Sequence, residues 1–131
     1  MKTILLVDDA PSILQVLNAT LKQKYKTKVA VSGEKALKIA SRDPKPDLIL
    51  LDIMMPEMDG FEVCKRLKED PETQDIPVIF LSGKDSPGDR SKGLSLGAVD
   101  FIEKPIDVDM VCIWIEQNLV SSDRDEEGSD E

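Results

Sequence analysis

Histidine is absent from this chain of 131 residues. Its absence excludes Ser-His-Asp and Cys-His catalysis, imidazole metal sites and service as a phosphohistidine donor. Cysteine is scarce. Cys64 and Cys112 lie far apart without metal-ligand spacing, each inside an apolar helical pattern, and both read as small core residues. Long apolar runs are also missing: Ile4–Val7 and Leu48–Leu51 hold four residues each, against the roughly 20 that cross a bilayer. Met1 and Lys2 lead into four apolar residues before Asp8 and Asp9, which is no secretory signal, so a cytoplasmic address without membrane contact is expected. Basic residues are the minority, 17 against 26 acids, for a net charge of −9. Such a chain is a poor direct ligand for nucleic acid or anionic lipid, and neither is expected as a partner.

What is present is the material of one soluble domain, 40% apolar and 33% charged. Thr3–Val7, Leu48–Leu51 and Val78–Leu81 read as buried strands, short and apolar almost without alternation, with Thr27–Val31 and Val99–Glu103 as weaker candidates. Helical stripes separate them. Ile13, Val16, Leu17 and Leu21 follow Ser12, a candidate N-cap. Ala36, Leu37 and Ala40 form a second stripe, and Phe61, Cys64 and Leu67 a third that Pro71 stops. A helix is expected from about Gly88 to Leu96 with Gly97 as its stop, and a last one from about Asp107 to Leu119. Five successive βα units predict an α/β domain, a parallel sheet covered on both faces. The domain is placed at residues 1–120. Residues 121–131, with six acids, one arginine and no apolar residue, are expected to be a disordered acidic tail or the start of a linker. Without them the balance is 20 acids to 16 bases, a net of −4.

Ligands of open α/β sheets bind beyond the carboxyl ends of the strands. The first strand runs into Asp8 and Asp9, the third into Asp52, the fourth into Ser82 and the fifth into Glu103-Lys104-Pro105. Any one of these is unremarkable, because strands must end somewhere polar. Together they deliver three carboxylates, a hydroxyl and an ammonium to one edge. Carboxylates so grouped repel one another unless a cation neutralises them, and oxygen ligands without histidine or thiolate point to Mg²⁺. A carboxylate beside that ion, with a lysine and a hydroxyl in reach, is equipped for phosphoryl transfer. The first strand is followed by Asp-Asp-Ala-Pro-Ser rather than a glycine-rich phosphate loop, so the phosphoryl group is not expected to come from a bound nucleotide.

Val7-Asp8-Asp9, Leu51-Asp52-Ile53-Met54-Met55-Pro56 with Met58-Asp59-Gly60, Phe80-Leu81-Ser82-Gly83, Gly97-Ala98 and Lys104-Pro105 together resemble the receiver domain of two-component response regulators. The resemblance covers residues 3 to about 119. It implies a flavodoxin-like, doubly wound five-stranded parallel sheet of order 2-1-3-4-5 with five helices. It also implies that Asp52 accepts a phosphoryl group from a histidine kinase or phosphotransfer protein. Asp9, Asp52 and the carbonyl of Met54 would then bind Mg²⁺, with Asp8 acting through water. Lys104 would pair with the carboxylate and later the phosphoryl oxygen, Ser82 would hydrogen-bond the phosphoryl group, and Phe101 would turn inward with it. The Lys104–Pro105 bond is expected to be cis.

On this reading the chain is a signalling module rather than an enzyme with an external substrate, catalysing only its own phosphorylation and dephosphorylation. Met54 and Lys84 stand at positions that flank the phosphoryl group; a methionine shields it but cannot orient a water. A haloacid dehalogenase-type hydrolase needs Asp-x-Asp, which Ala10 and Met54 deny to Asp8 and Asp52. A flavin carrier of the same topology needs a Ser/Thr-rich loop where this chain has carboxylates. Along the last helix Val108, Val111, Cys112, Ile115 and Leu119 form the core stripe, leaving Met110, Ile113 and Trp114 on the opposite side. That face is a candidate homodimer or partner surface, formed with the fourth helix and fifth strand as in receivers.

Overall fold

Runs such as Ile4-Leu5-Leu6-Val7 and Leu48-Ile49-Leu50-Leu51 are apolar on both faces, so the sheet they form has to be covered twice. The computed structural model describes residues 1–83 and 87–130 and shows that arrangement. In chain order the elements are β1 (Thr3–Val7), α1 (Pro11–Leu21), β2 (Lys26–Ala30), α2 (Gly33–Ala40), β3 (Leu48–Asp52), α3 (Gly60–Glu69), β4 (Val78–Ser82), α4 (Pro87–Ser95), β5 (Asp100–Glu103) and α5 (Val108–Asp130). All strand pairs are parallel, in the order β2-β1-β3-β4-β5. Alternate side chains of each strand fall on opposite faces. Ile4, Leu6, Leu48, Leu50, Ile79, Leu81 and Ile102 pack with Leu14, Leu17 and Leu21 of α1 and Val111, Ile115 and Leu119 of α5. Leu5, Val7, Ile49, Leu51, Val78, Phe80 and Phe101 pack with α2 and with Phe61, Val63, Cys64 and Leu67 of α3. Cys64 and Cys112 therefore belong to opposite faces, and both are free thiols. No helix among the described residues is long and apolar enough to cross a membrane.

Several boundaries move from where the pattern puts them. The start of α1 is set by Pro11 rather than Ser12: Ala10 is the N-cap, makes no side-chain capping bond, and proline at the first position supplies helical φ without losing a needed N–H. On α1 the core residues are Leu14, Leu17 and Leu21, while Val16, placed in the stripe by its spacing, is 55% exposed. Two apolar stripes one residue apart run along this helix, and only one can face the sheet. Asp59 caps α3 by accepting the Glu62 N–H at 2.9 Å, and Gly97 ends the α4 segment with φ of 107°, as a glycine stop requires. The Lys104–Pro105 bond is cis, and so is Asp43–Pro44. The apolar stripe ends α5 near Leu119, yet its backbone is helical to Asp130. Residues 121–127 contain no proline or glycine to interrupt a helix already nucleated. On α5, Met110 and Ile113 are exposed as expected, whereas Trp114 is half-buried and packs against the core.

Candidate functional site

The doubly wound order places β1 beside β3 at the point where successive connections leave for opposite faces, and the carboxyl ends of these strands open the crevice there. Asp8 follows β1 directly and Asp52 closes β3; both side chains are buried, whereas Asp9 is exposed. Oxygens of Asp8, Asp9 and Asp52 lie within 4.8 Å of one another. Lys104, just past β5, reaches across the top of the sheet. Its Nζ donates to Asp52 Oδ1 at 3.0 Å and to Asp8 Oδ2 at 3.1 Å. Its own backbone N–H donates to the Ser82 carbonyl at 2.6 Å, fixing the end of β5 to the end of β4. The second Asp8 oxygen accepts the Ala10 N–H at 2.9 Å, a local turn that holds the carboxylate in place. Among the expected site residues, the structure thus gathers Asp8, Asp9, Asp52 and Lys104 directly, with buried Ser82 at the end of the neighbouring strand.

The loop after β3 closes under this cluster. The Gly60 N–H donates to the Ile53 carbonyl at 2.8 Å, and a Cβ at Gly60 would lie 2.3 Å from the Asp52 carbonyl oxygen. Only glycine permits that approach. The Met54 side chain is 73% exposed and borders a groove shared with Asp9, Met55, Pro56 and Asp59. Phe101 is buried in the core below the cluster rather than at it. Lys84 lies outside the described residues. A feature not expected from the pattern is a groove of about 340 Å³ beside Lys104, walled by Ser12, Ile13, Val16 and Leu17 of α1 and by Pro105, Ile106 and Val108. Val16 is the available signal for it, an apolar residue on the helix side that the core does not use.

A buried carboxylate paired with a lysine, two further acids and a hydroxyl at the carboxyl edge of a 2-1-3-4-5 sheet is the arrangement that the motifs imply. The model of the response regulator receiver domain matches residues 4–116. This chain belongs to that family. It is 50% identical over 105 residues to the response regulator PleD of Caulobacter vibrioides, covering 79% of this chain and 23% of PleD. Among solved structures it is similar to the Vibrio cholerae chemotaxis protein CheY4, with a TM-score of 0.84 and 30% identity, covering 89% of this chain and 98% of that one. It is also similar to a BeF3-activated DrrB receiver domain, with a TM-score of 0.80 and 30% identity over 91% of this chain and 97% of the other. The chain spans from about a quarter to about half the length of the curated relatives it matches.

The electrostatics of this receiver follow from its burial. Burial raises the Asp52 pKa from 3.8 to about 6; the nearby Asp8 and Asp9 charges push the same way, and the Lys104 ammonium opposes them. Burial works against the charge of Lys104, but its hydrogen bonds to Asp52 and Asp8, and their charges, outweigh it and hold the ammonium more firmly protonated than usual. One ammonium among three carboxylates leaves the cluster short of positive charge. Its donors are all oxygens, two buried and one facing solvent, and that set fits a hard divalent cation of the Mg²⁺ kind.

Proposed function

We propose that this receiver accepts a phosphoryl group on Asp52 from a histidine kinase or phosphotransfer protein. The observation that carries this reading is the Asp52 carboxylate, buried yet held by Lys104 Nζ at 3.0 Å and flanked by Asp8 and Asp9. An Asp52 oxygen attacks the phosphorus in line; the new O–P bond forms as the N–P bond to the donor imidazole breaks, and the donor nitrogen departs with the electron pair. Mg²⁺, held by Asp9, Asp52 and the Met54 carbonyl with Asp8 acting through water, would supply neutralising charge to the phosphoryl oxygens. Lys104 moves from carboxylate partner to phosphoryl partner, and the Ser82 hydroxyl donates a hydrogen bond to the phosphoryl group. Phe101, already buried beneath this edge, stays inward as Ser82 engages the phosphoryl group. The apolar groove between α1 and the segment after Lys104 is suited to a helix of the phosphodonor, since it opens directly beside the acceptor edge. The output surface is the face of α4, β5 and α5, where Met110 and Ile113 are exposed and Trp114 half-buried; a second copy or a downstream partner would dock there. Dephosphorylation is intrinsic and slow, because the Met54 thioether shields the acyl phosphate without orienting a water.

Incubation with acetyl phosphate and Mg²⁺ followed by intact-mass measurement tests the reading. A single added phosphoryl group, mapped to Asp52 and absent from Asp52→Asn, is the expected result. An unmodified wild-type protein, or modification that persists in the variant, refutes it.

A further inference from the structure

α4 has almost no apolar grip on the sheet. Among its described residues only Gly93 is buried, and its one large apolar side chain, Leu94, is 45% exposed. What lies beneath it is a row made of all three phenylalanines of the chain. Phe61, at the start of α3, meets Phe80 of β4 edge-on with centroids 5.4 Å apart, and Phe80 meets Phe101 of β5 at 6.4 Å. Gly93 rests on the middle of this row: a Cβ there would lie 2.8 Å and 3.0 Å from two Phe80 ring carbons. The two ends are covered by cations from the same helix. The Arg90 guanidinium sits 5.6 Å from the Phe101 centroid, and Lys92 Nζ sits 4.6 Å from the Phe61 centroid. Both distances fall within the range at which a ring face attracts a cation. α4 is therefore seated by one glycine contact and two exposed cation–ring contacts, a weak seat over the aromatic that shares β5 with the end of the acceptor edge.

We propose that Arg90 and Lys92 are positioning residues: by stacking on the outer rings they seat α4, hold Phe101 inward, and so set how readily Asp52 takes up a phosphoryl group or its mimic. The inference rests on the phosphoacceptor reading above. The phosphorylated arrangement, which needs Phe101 inward, and the seated helix then favour each other, and by linkage a change that loosens the seat weakens ligand uptake as the seated fraction falls, by at most the factor lost from the seat. Each exposed cation–ring contact is worth about a 2- to 5-fold effect.

The single Trp114 gives a built-in readout, because it lines a cleft together with Arg90, Phe101 and Met110. Lys92 does not border that cleft; it lines a separate groove with Phe61 and Lys65. Beryllofluoride with Mg²⁺ serves as the phosphoryl mimic, titrated against Trp114 emission in wild type, Lys92→Gln, Lys92→Arg and Lys65→Gln. Lys92→Gln should shift the emission of the free protein and weaken beryllofluoride uptake, by up to about 5-fold, Lys92→Arg should restore both, and Lys65→Gln should behave as wild type. The proposal is overturned if either readout is unchanged in Lys92→Gln, if arginine fails to restore them, or if Lys65→Gln matches Lys92→Gln, which would assign the effect to charge alone. Mass measurement separates the two levels. A wild-type protein that takes no phosphoryl group removes the phosphoacceptor reading and this one with it, whereas normal phosphorylation with an inert Lys92→Gln removes this one alone.

Discussion

Asp52→Asn should make the protein more stable at and above neutral pH, even though it destroys the acceptor. The reason lies in where the charge sits. Burial, with Asp8 and Asp9 adding to it and Lys104 opposing, raises the Asp52 pKa from 3.8 to about 6. A carboxyl whose pKa is higher in the folded than in the unfolded state binds its proton more tightly when folded. Stability is then lost as pH rises from about 4 through about 6, and above that window the whole cost of the buried charge is present. The displacement from 3.8 to about 6 corresponds to roughly 3 kcal/mol. Asparagine has the shape of the protonated acid, retains an oxygen for Lys104 Nζ, and presents N–H donors where Asp8 and Asp9 offer acceptors.

Urea unfolding followed by far-UV circular dichroism, in EDTA and at a series of pH values from 4 to 8, measures the effect. Taking the difference between variant and wild type at each pH cancels the other carboxylates. The expected gap is about 2–3 kcal/mol in favour of Asp52→Asn at pH 8, closing toward zero as pH falls through 6 to 4. Mg²⁺ should narrow the gap at pH 8, because a divalent cation offsets the same repulsion in the wild type. A variant less stable than wild type at pH 8, or a gap that does not change with pH, would refute the reasoning. Either result would mean that Lys104 fully neutralises the buried carboxylate.

Three further outcomes follow from packing. Gly60→Ala places a Cβ against the Asp52 carbonyl oxygen and the Ile53 Cα, backbone atoms that cannot rotate away; it should cost about 2–3 kcal/mol in urea unfolding and slow phosphorylation by acetyl phosphate. Leu14→Ala should lose about 3 kcal/mol, and Val16→Ala less than about 0.5 kcal/mol, since only the first faces the sheet; phosphotransfer from a protein donor, compared with acetyl phosphate, should instead be impaired by Val16→Ala. Cys64 and Cys112, on opposite faces and both with thiols pushed up in pKa by burial, should form no intramolecular disulfide under mild oxidation, as intact mass will report.

The parts of this molecule that were legible in the sequence are those where one physical demand acts alone. A strand buried on both faces must be apolar at every position, so β1, β3 and β4 stand out, and the residues that end them mark the edge where Asp8, Asp52 and Ser82 meet. The edge strand β2, with Lys26 and Val29 exposed, carries a weaker signal because half of it answers to water. Val16 of α1 was misplaced for a different reason. It is as apolar as Leu14 and Leu17, and periodicity does not say whether an apolar residue is covered by its own chain or by another. Val16 instead lines the groove beside Lys104, where the proposed phosphodonor helix would cover it. α4 carries the opposite disguise: its attachment runs through Gly93, Arg90 and Lys92, residues that a hydrophobic pattern counts as breaker and solvent face. In both helices the pattern fails at surfaces that the proposed function asks to change partners during signalling. A surface that is to be covered in one state and free in another can be neither fully apolar nor fully polar.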